Sequence, residues 1–295
     1  MSARNLKHVA FLAVTVCFLM CVPWYTGRAL GYEVFQTYGN YSDNLWQDAN
    51  KSYPRSGDSL LCWAASAANT LTWGGWNTQS FSTAQSVFQV YKDHWTDKGS
   101  LPDVGWQWWF SGNYPAGYPA SYPSPDSWSI VDVPGAGGYW SGYDLNNYYH
   151  DSFVWDQINP QNSYWDTAGT MKYIDDYLKS GAGVSLAIRG GGGHAVTVWG
   201  FEYDATRDPI ADPYNYYKSI YITDSDDIYL NAPYYGMTSY PVSWDATNNH
   251  WDLGGGYAGW YISEVYALDA RVLAPLESSW NQYAGYGLDF SDADL

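Results

Sequence analysis

The chain predicts an α+β protein, and three observations carry that expectation. Helical patterns come early, between residues 58 and 95. Runs rich in β-branched and aromatic residues come late, from residue 183 onward. The late runs follow one another as antiparallel neighbours do, instead of alternating with helices as in a parallel sheet.

The first 31 residues are set apart from the fold. Arg4 and Lys7 precede an apolar run from Val9 to Val22, and Ala29 and Gly31 supply small residues after it. Charge, apolar core and small-x-small is the order of a secretory signal peptide, with cleavage expected after Gly31. The run is short for a bilayer span, and Phe18, Leu19 and Met20 do not suit a lipidation signal at Cys21. The expected mature protein is therefore secreted or periplasmic. Removing the segment takes Cys17 and Cys21 away and leaves Cys62 as the one cysteine, so no disulfide framework within the chain is expected. It also takes Arg4, Lys7 and Arg28 and no acid, which moves the formal charge from −17 to −20. Such a surface disfavours nucleic acid and anionic membranes as partners.

About 264 residues remain, enough to bury a real core. Only 15% of residues are charged while 19% are aromatic, which suits a rigid, loop-rich extracellular domain and not a disordered one. One domain is expected over residues 32–277, followed by an acidic tail, 278–295.

Residues 32–55 read as an extended lead-in. A first helix is predicted just after Asp58 or Ser59, either of which can cap it, and runs through Cys62, Ala65, Ala68 and Leu71 with a stripe of small residues on one face. A second is predicted over 82–95, with Val87, Val90 and Tyr91 on one side. Between 99 and 165 the chain is dense in Pro, Gly, Tyr and Trp and shows neither period, so it reads as a long ordered excursion stapled by aromatics, with a sugar- or peptide-binding surface as the functional alternative. TMKYIDDYLKS, 170–180, is a clear helix with Gly181 as its stop. Strands are predicted over 183–190, 194–204, 218–226, about 236–244 and 259–270.

Chemistry concentrates at three of these elements. Cys62 lies near a helix N-terminus, where unpaired backbone N–H groups and the helix dipole favour thiolate over thiol. Of the four remaining histidines, His94 falls at a charged helix end, His150 in a loop and His250 in a turn, while His194 follows the glycines 190–193 and opens the strand AVTVWGF. A histidine at a strand start opposite a helix-borne cysteine is what a general base requires, although a lone histidine there is more often structural. The strand ending in YITDSDD delivers Asp224 and Asp226, an acidic pair able to orient an imidazole; taken alone it reads as a surface turn or a metal-binding acidic cluster. Cysteine on an early helix, histidine at a later strand start and aspartate at the end of the next strand is the chain order of a cysteine protease.

At these residues a family resemblance enters. DSLLCWAASAAN, GGHAVTVWGFEYD and SIYITDSD resemble the motifs of the immunoglobulin-G-degrading streptococcal cysteine endopeptidases, the IdeS/Mac family, whose fold is papain-like. The resemblance implies that Cys62 is nucleophile, His194 general base and acid, and Asp224 the residue orienting His194, with Asp226 a supporting acid. It implies an oxyanion hole made by Lys51 and the Cys62 backbone N–H. The spacing from Lys51 to Cys62 is one residue longer than the family pattern, which leaves Arg55 as a possible substitute. The loop 204–218 is also longer than in the family and should leave the site undisturbed if it is a hairpin extension. The resemblance implies a secreted endopeptidase that takes a protein substrate and needs neither metal nor organic cofactor. It does not carry over immunoglobulin as the substrate, because recognition depends on surfaces remote from the triad. Two other readings fit the same residues: a thiol amidase or acyltransferase on the same scaffold, and a secreted aromatic-rich glycan- or protein-binding module in which Cys62 is a buried structural thiol.

Overall fold

The structure, a computed structural model, describes residues 32–36, 46–113, 128–153, 168–227 and 236–271. The expected signal peptide, the acidic tail from 278 and residues 114–127 and 154–165 of the aromatic excursion lie outside the described residues. The helices are α1 (Cys62–Trp73), α2 (Ala84–His94), α3 (Pro102–Ser111), α4 (Thr170–Lys179) and the short α5 (Pro213–Tyr216). The strands are β1 (Tyr32–Gln36), β2 (Tyr149–Phe153), β3 (Gly183–Arg189), β4 (Gly193–Asp204), β5 (Tyr217–Thr223), β6 (Thr238–Asp245), β7 (His250–Leu253) and β8 (Trp260–Leu268). Among the described residues no helix is long and apolar enough to cross a membrane.

The protein is a mixed helix and sheet structure, as its α+β pattern predicts, but the sheet does more than lie flat. Strands run in the order β1-β4-β3-β8-β7-β6-β5, and β5 also pairs with β4, so six strands close into an antiparallel barrel. β1 adds to the outside edge of β4, and β2 pairs with β8. The sheet is thus not purely C-terminal: β1 comes from the lead-in and β2 from the stretch read as irregular.

Side-chain alternation on β3 and β4 separates two layers. Val184, Leu186 and Ile188, with Val196 and Val198, join Ile220, Ile222, Leu253, Ile262 and the α4 residues Met171, Ile174 and Leu178 in one apolar cluster. The alternate residues Ser185, Ala187, Ala195 and Thr197 turn toward α1. The small residues of α1 let it approach closely. Ser66 Oγ lies 2.8 Å from Ser185 Oγ, 2.9 Å from Val196 O and 3.0 Å from Thr197 Oγ1. Asn69 Nδ2 donates to Thr197 Oγ1 at 3.0 Å, and Gly183 lies against Thr70, where a Cβ would come within 3.1 Å of that side chain.

Three sequence expectations need correction. Neither Asp58 nor Ser59 caps α1, which starts at Cys62 after Leu61 without a side-chain cap. Asp58 is instead fully buried, accepting from Ser52 N at 2.7 Å and pairing with Lys92 Nζ at 2.7 Å. Residues 102–111 are not irregular but helical; Val104, Trp106, Trp108, Trp109 and Phe110 are buried, and the polar face is one narrow stripe, Asp103, Gln107 and Ser111, at intervals of four. These tryptophans are core residues and do not form a binding face. Finally, His150 and His250 lie in β2 and β7, short strands whose apolar runs are too brief to register as alternation.

The contact between α1 and α3 is made at Gly105, where an added Cβ would meet Ala67 Cβ at 3.0 Å, Trp63 at 3.1 Å and Tyr91 OH at 3.2 Å. Gly105→Val should therefore lower unfolding free energy by about 1–3 kcal/mol through overpacking, read by urea denaturation. An unchanged midpoint would mean that these helices are not closely packed there.

Candidate active site

The three elements converge at one end of the barrel. Cys62 is the first residue of α1, and because no side chain caps that helix, no described group accepts from the Cys62 N–H. His194 is the second residue of β4, paired across the ladder with Ile188. Thr197 pairs with Thr223, the last residue of β5, so extending that register past the strand end brings residues 224–226 alongside 194–196. The loop 205–216 joins the opposite ends of β4 and β5, the hairpin extension expected to leave the site alone.

His194 Nε2–H donates to Asp224 Oδ1 at 2.7 Å, and the imidazole also hydrogen-bonds Cys62. With Nε2 taken by the carboxylate, Nδ1 is the nitrogen left for the thiol. Asp224 Oδ1 also accepts from Asp226 N at 3.0 Å, and its Oδ2 accepts from the Tyr257 hydroxyl. Tyr257 closes a short 3-10 turn, Gly255–Tyr257, between β7 and β8, and its ring lies 6.2 Å from that of His194, with Trp260 at 6.4 Å on an edge.

The electrostatics are those of an ion pair held in a low-dielectric place. Burial by itself would raise the Cys62 thiol, but the His194 charge and hydrogen bond, the Lys51 ammonium and a hydrogen bond from the Ala195 backbone bring it below its ordinary value. For His194 burial works downward and is outweighed by the Asp224 and Cys62 charges, so the imidazole is held well above its usual range. Burial would also raise Asp224, yet the His194 charge and the hydrogen bonds from His194, Tyr257 and the Asp226 amide hold it at about 2. Each group favours the ionised form of the next. A thiolate beside an imidazolium is the starting arrangement for acyl transfer to sulfur.

Lys51 is buried, with its ammonium donating to Ser59 O at 3.0 Å and pairing with Asp226 at 3.0 Å. Arg55 reaches the same carboxylate at 3.2 Å but stays half exposed. Of the two cations, Lys51 is the one that lines the cleft with Cys62 and His194. Asp226 stands 4.0 Å from His194 Nδ1 and links the lysine to the histidine electrostatically. Lys51, Cys62, His194, Asp224 and Asp226 all border one cleft of about 650 Å³, and Arg55 is not among its lining residues. Gly99, Leu101 and Trp128 form another part of its lining, so the aromatic excursion contributes to the cleft. Tyr257 and Trp260 were not legible in advance. The only signal was an aromatic pair in the glycine-rich GGGYAGW, which reads equally well as a turn.

Two groups among the described residues bring three metal-binding atoms within 4.8 Å of one another. In His194, Asp224 and Asp226 the carboxylates are already occupied by the imidazole, the tyrosine hydroxyl and two cationic side chains, which does not suit a metal ion. In Asp245, His250 and Asp252 the Asp245 carboxylate closes its own turn through Thr247 N and Asn248 N, and His250 pairs with Asp252 at 3.0 Å.

Compared with protein-family models and with curated proteins, the chain finds no match in either.

The depressed Asp224 value fixes a stability prediction. A carboxyl at about 2 when folded and near 3.8 when unfolded adds stability that is complete above pH 4 and disappears as pH falls to 2. The melting-temperature advantage of the native protein over Asp224→Asn should therefore shrink over that window and change little between pH 5 and 6. A constant difference from pH 6 down to 2 would mean that Asp224 is not paired as described.

Proposed function

We propose that the chain is a secreted cysteine peptidase that hydrolyses peptide bonds of a protein substrate through Cys62, His194 and Asp224. The observation that carries the reading is the histidine: its Nε2 is fixed by a buried carboxylate while its other side faces a thiol at an uncapped helix start. The papain-like fold belongs to the same proposal, supported by a helix that bears the thiol packed on a barrel whose strands bring the histidine and the acid. The likeness to the IdeS/Mac endopeptidases rests on the three sequence blocks that carry these groups. Export rests on the segment before residue 32.

The chemistry follows from the positions. The Cys62 thiolate attacks the carbonyl carbon, and the C=O electron pair moves onto oxygen. The Cys62 N–H, unused in the helix, and the Lys51 ammonium are the donors for that oxyanion. As the tetrahedral intermediate collapses, His194 gives its Nδ1 proton to the departing amine, the C–N bond breaks and a thioester remains. Water, deprotonated by the now neutral imidazole, adds to the thioester; loss of thiolate releases the carboxylic acid and restores the ion pair. Asp224 holds the ring in the tautomer and orientation that both steps need. Oxidation of Cys62 removes the nucleophile and stops the cycle.

The mature protein, incubated with a panel of folded and denatured proteins and followed by mass spectrometry, should yield defined cleavage products. Cys62→Ala and His194→Ala should each reduce cleavage by about 10³-fold or more, with the melting temperature little changed. A Lys51→Met protein should lose about 10²–10³-fold, the cost of one oxyanion donor. Full hydrolysis by His194→Ala would overturn the assignment.

A further inference from the structure

Two carboxyl groups beside this site have no part in the chemistry above. Asp48 lies in the segment 46–51, and Asp227, 1% exposed, lies in the turn that follows β5. The two stretches of chain are stitched together. Lys51 N donates to Ser225 O at 3.0 Å and Thr223 Oγ1 donates to Gln47 O at 2.9 Å, while within the turn Asp227 N donates to Asp224 O at 3.0 Å. A third tie runs to the cysteine helix, where Asn69 Oδ1 accepts from Ala49 N at 2.8 Å.

Asp48 Oδ1 is buried, and no N–H or hydroxyl among the described residues donates to it. Among the described residues its Oδ2 receives only a long contact, 3.4 Å, from Asn50 Nδ2. What stands within hydrogen-bonding reach is another carboxyl, that of Asp227, whose Oδ2 accepts from Gly236 N at 2.6 Å. Among the described residues the surrounding charges are already committed or of the same sign. The turn contributes Asp224, Asp226 and Asp227. The ammonium of Lys51 and the guanidinium of Arg55 are both engaged by Asp226. His194 on β4 is held by Asp224, as is Tyr257 from the turn before β8. The contacts from α1 and α2 are neutral, Asn69 on the Ala49 amide and Gln85 on the Asn50 amide. Two facing carboxyls in such a place cannot both ionise at neutral pH.

We infer that Asp48 and Asp227 hold one proton between them, and that this carboxyl–carboxylate hydrogen bond positions the catalytic groups. Beside those backbone ties it is a side-chain link between the segment that carries Lys51 and the turn that presents Asp224 and Asp226, so the oxyanion donor and the histidine's partner share its support. The positioning role rests on the reading of Cys62, His194 and Asp224 as the reacting groups; the shared proton does not. Burial and the Asp227 charge push the Asp48 carboxyl up to about 8, in keeping with a proton retained at neutral pH. Because the folded value lies above the unfolded one, the pair costs stability increasingly from about pH 4 to about pH 8 and no more beyond. When the proton leaves, two adjacent charges push the segment and the turn apart.

The test is carbon NMR of protein labelled at the aspartate side-chain carboxyl, in EDTA, with the imidazole of His194 followed in parallel. One carboxyl resonance should titrate near pH 8 in the native protein and be missing in Asp48→Asn, which keeps a donor for Asp227. The His194 resonance should show an inflection at the same pH, absent in the variant. Asp48→Asn should also melt close to the native protein at pH 5 and at least about 4 °C above it at pH 9. Should that variant fail to fold, Asp227→Asn makes the same exchange on the other partner and is read in the same way. If every aspartate titrates below about pH 5, or the resonance near pH 8 persists in both variants, no shared proton exists. If the carboxyl titrates but His194 shows no inflection, the pair is not a positioning element. A melting temperature that falls with EDTA and returns with calcium overturns the inference too, because a cation would then neutralise the pair. Failure of the peptidase reading appears elsewhere, as Cys62-independent hydrolysis or none, and leaves these carboxyl signals in place.

Discussion

The close approach of one small-residue helix to two strands is the constraint on which the rest depends. Cys62 meets His194 only because α1 lies nearly against β3 and β4, and it does so through Ser66 and Asn69 instead of bulky apolar side chains. These contacts are polar and buried, which makes them directional: Ser66 is matched to Ser185, Val196 and Thr197, and Asn69 spans from Thr197 to the Ala49 amide. A buried hydroxyl or amide left without partners is costly, so sliding the helix along the sheet is opposed at each of these positions. An all-apolar seam would bind the helix as well but would fix its register less well. That register sets the distance from thiol to imidazole.

From this seam the charges alternate outward. The Cys62 thiol, the His194 imidazole and the Asp224 carboxylate form one row; Lys51, Asp226 and Arg55 form another, and Asp226 reaches both through its 4.0 Å approach to His194. A buried ion pair is a poor source of stability, since desolvation opposes it, and its value is in holding a reactive protonation state. The uncapped start of α1 belongs to the same economy. Asp58, the natural cap, is turned away to Ser52 and Lys92, and the first turn of the helix is left with a free N–H at the cleft.

Much of this was legible in the chain. Strands β3, β4, β5, β6 and β8 and helix α4 follow from periodicity and glycine stops, and Cys62, His194 and Asp224 stand out by their places on those elements. The residues that escaped notice have physical reasons for doing so. Helix α3 leaves only the narrow stripe Asp103, Gln107 and Ser111 partly exposed, so Trp106, Trp108 and Trp109 dominate its pattern and obscure the period. Barrel closure depends on the pairing of β4 with β5, and on β7, whose four residues carry too little alternation to be seen. Tyr257, Asp48 and Asp227 act through spatial neighbours far away in sequence, so their neighbours in the chain carry no sign of them. The Asp58 cap failed for a related reason: its carboxylate is taken by Lys92, more than thirty residues on, at 2.7 Å and by the Ser52 amide.

The central claim is that Cys62 and His194 exist as a thiolate–imidazolium pair, and the most direct measurement needs no substrate. It is the rate of iodoacetamide alkylation of Cys62 against pH, in the mature protein and in His194→Ala. The account predicts fast alkylation persisting down to about pH 5 in the native protein and lost in the variant. Slow alkylation that rises only near about pH 8.5, and does so identically in both proteins, would show an ordinary thiol and contradict it.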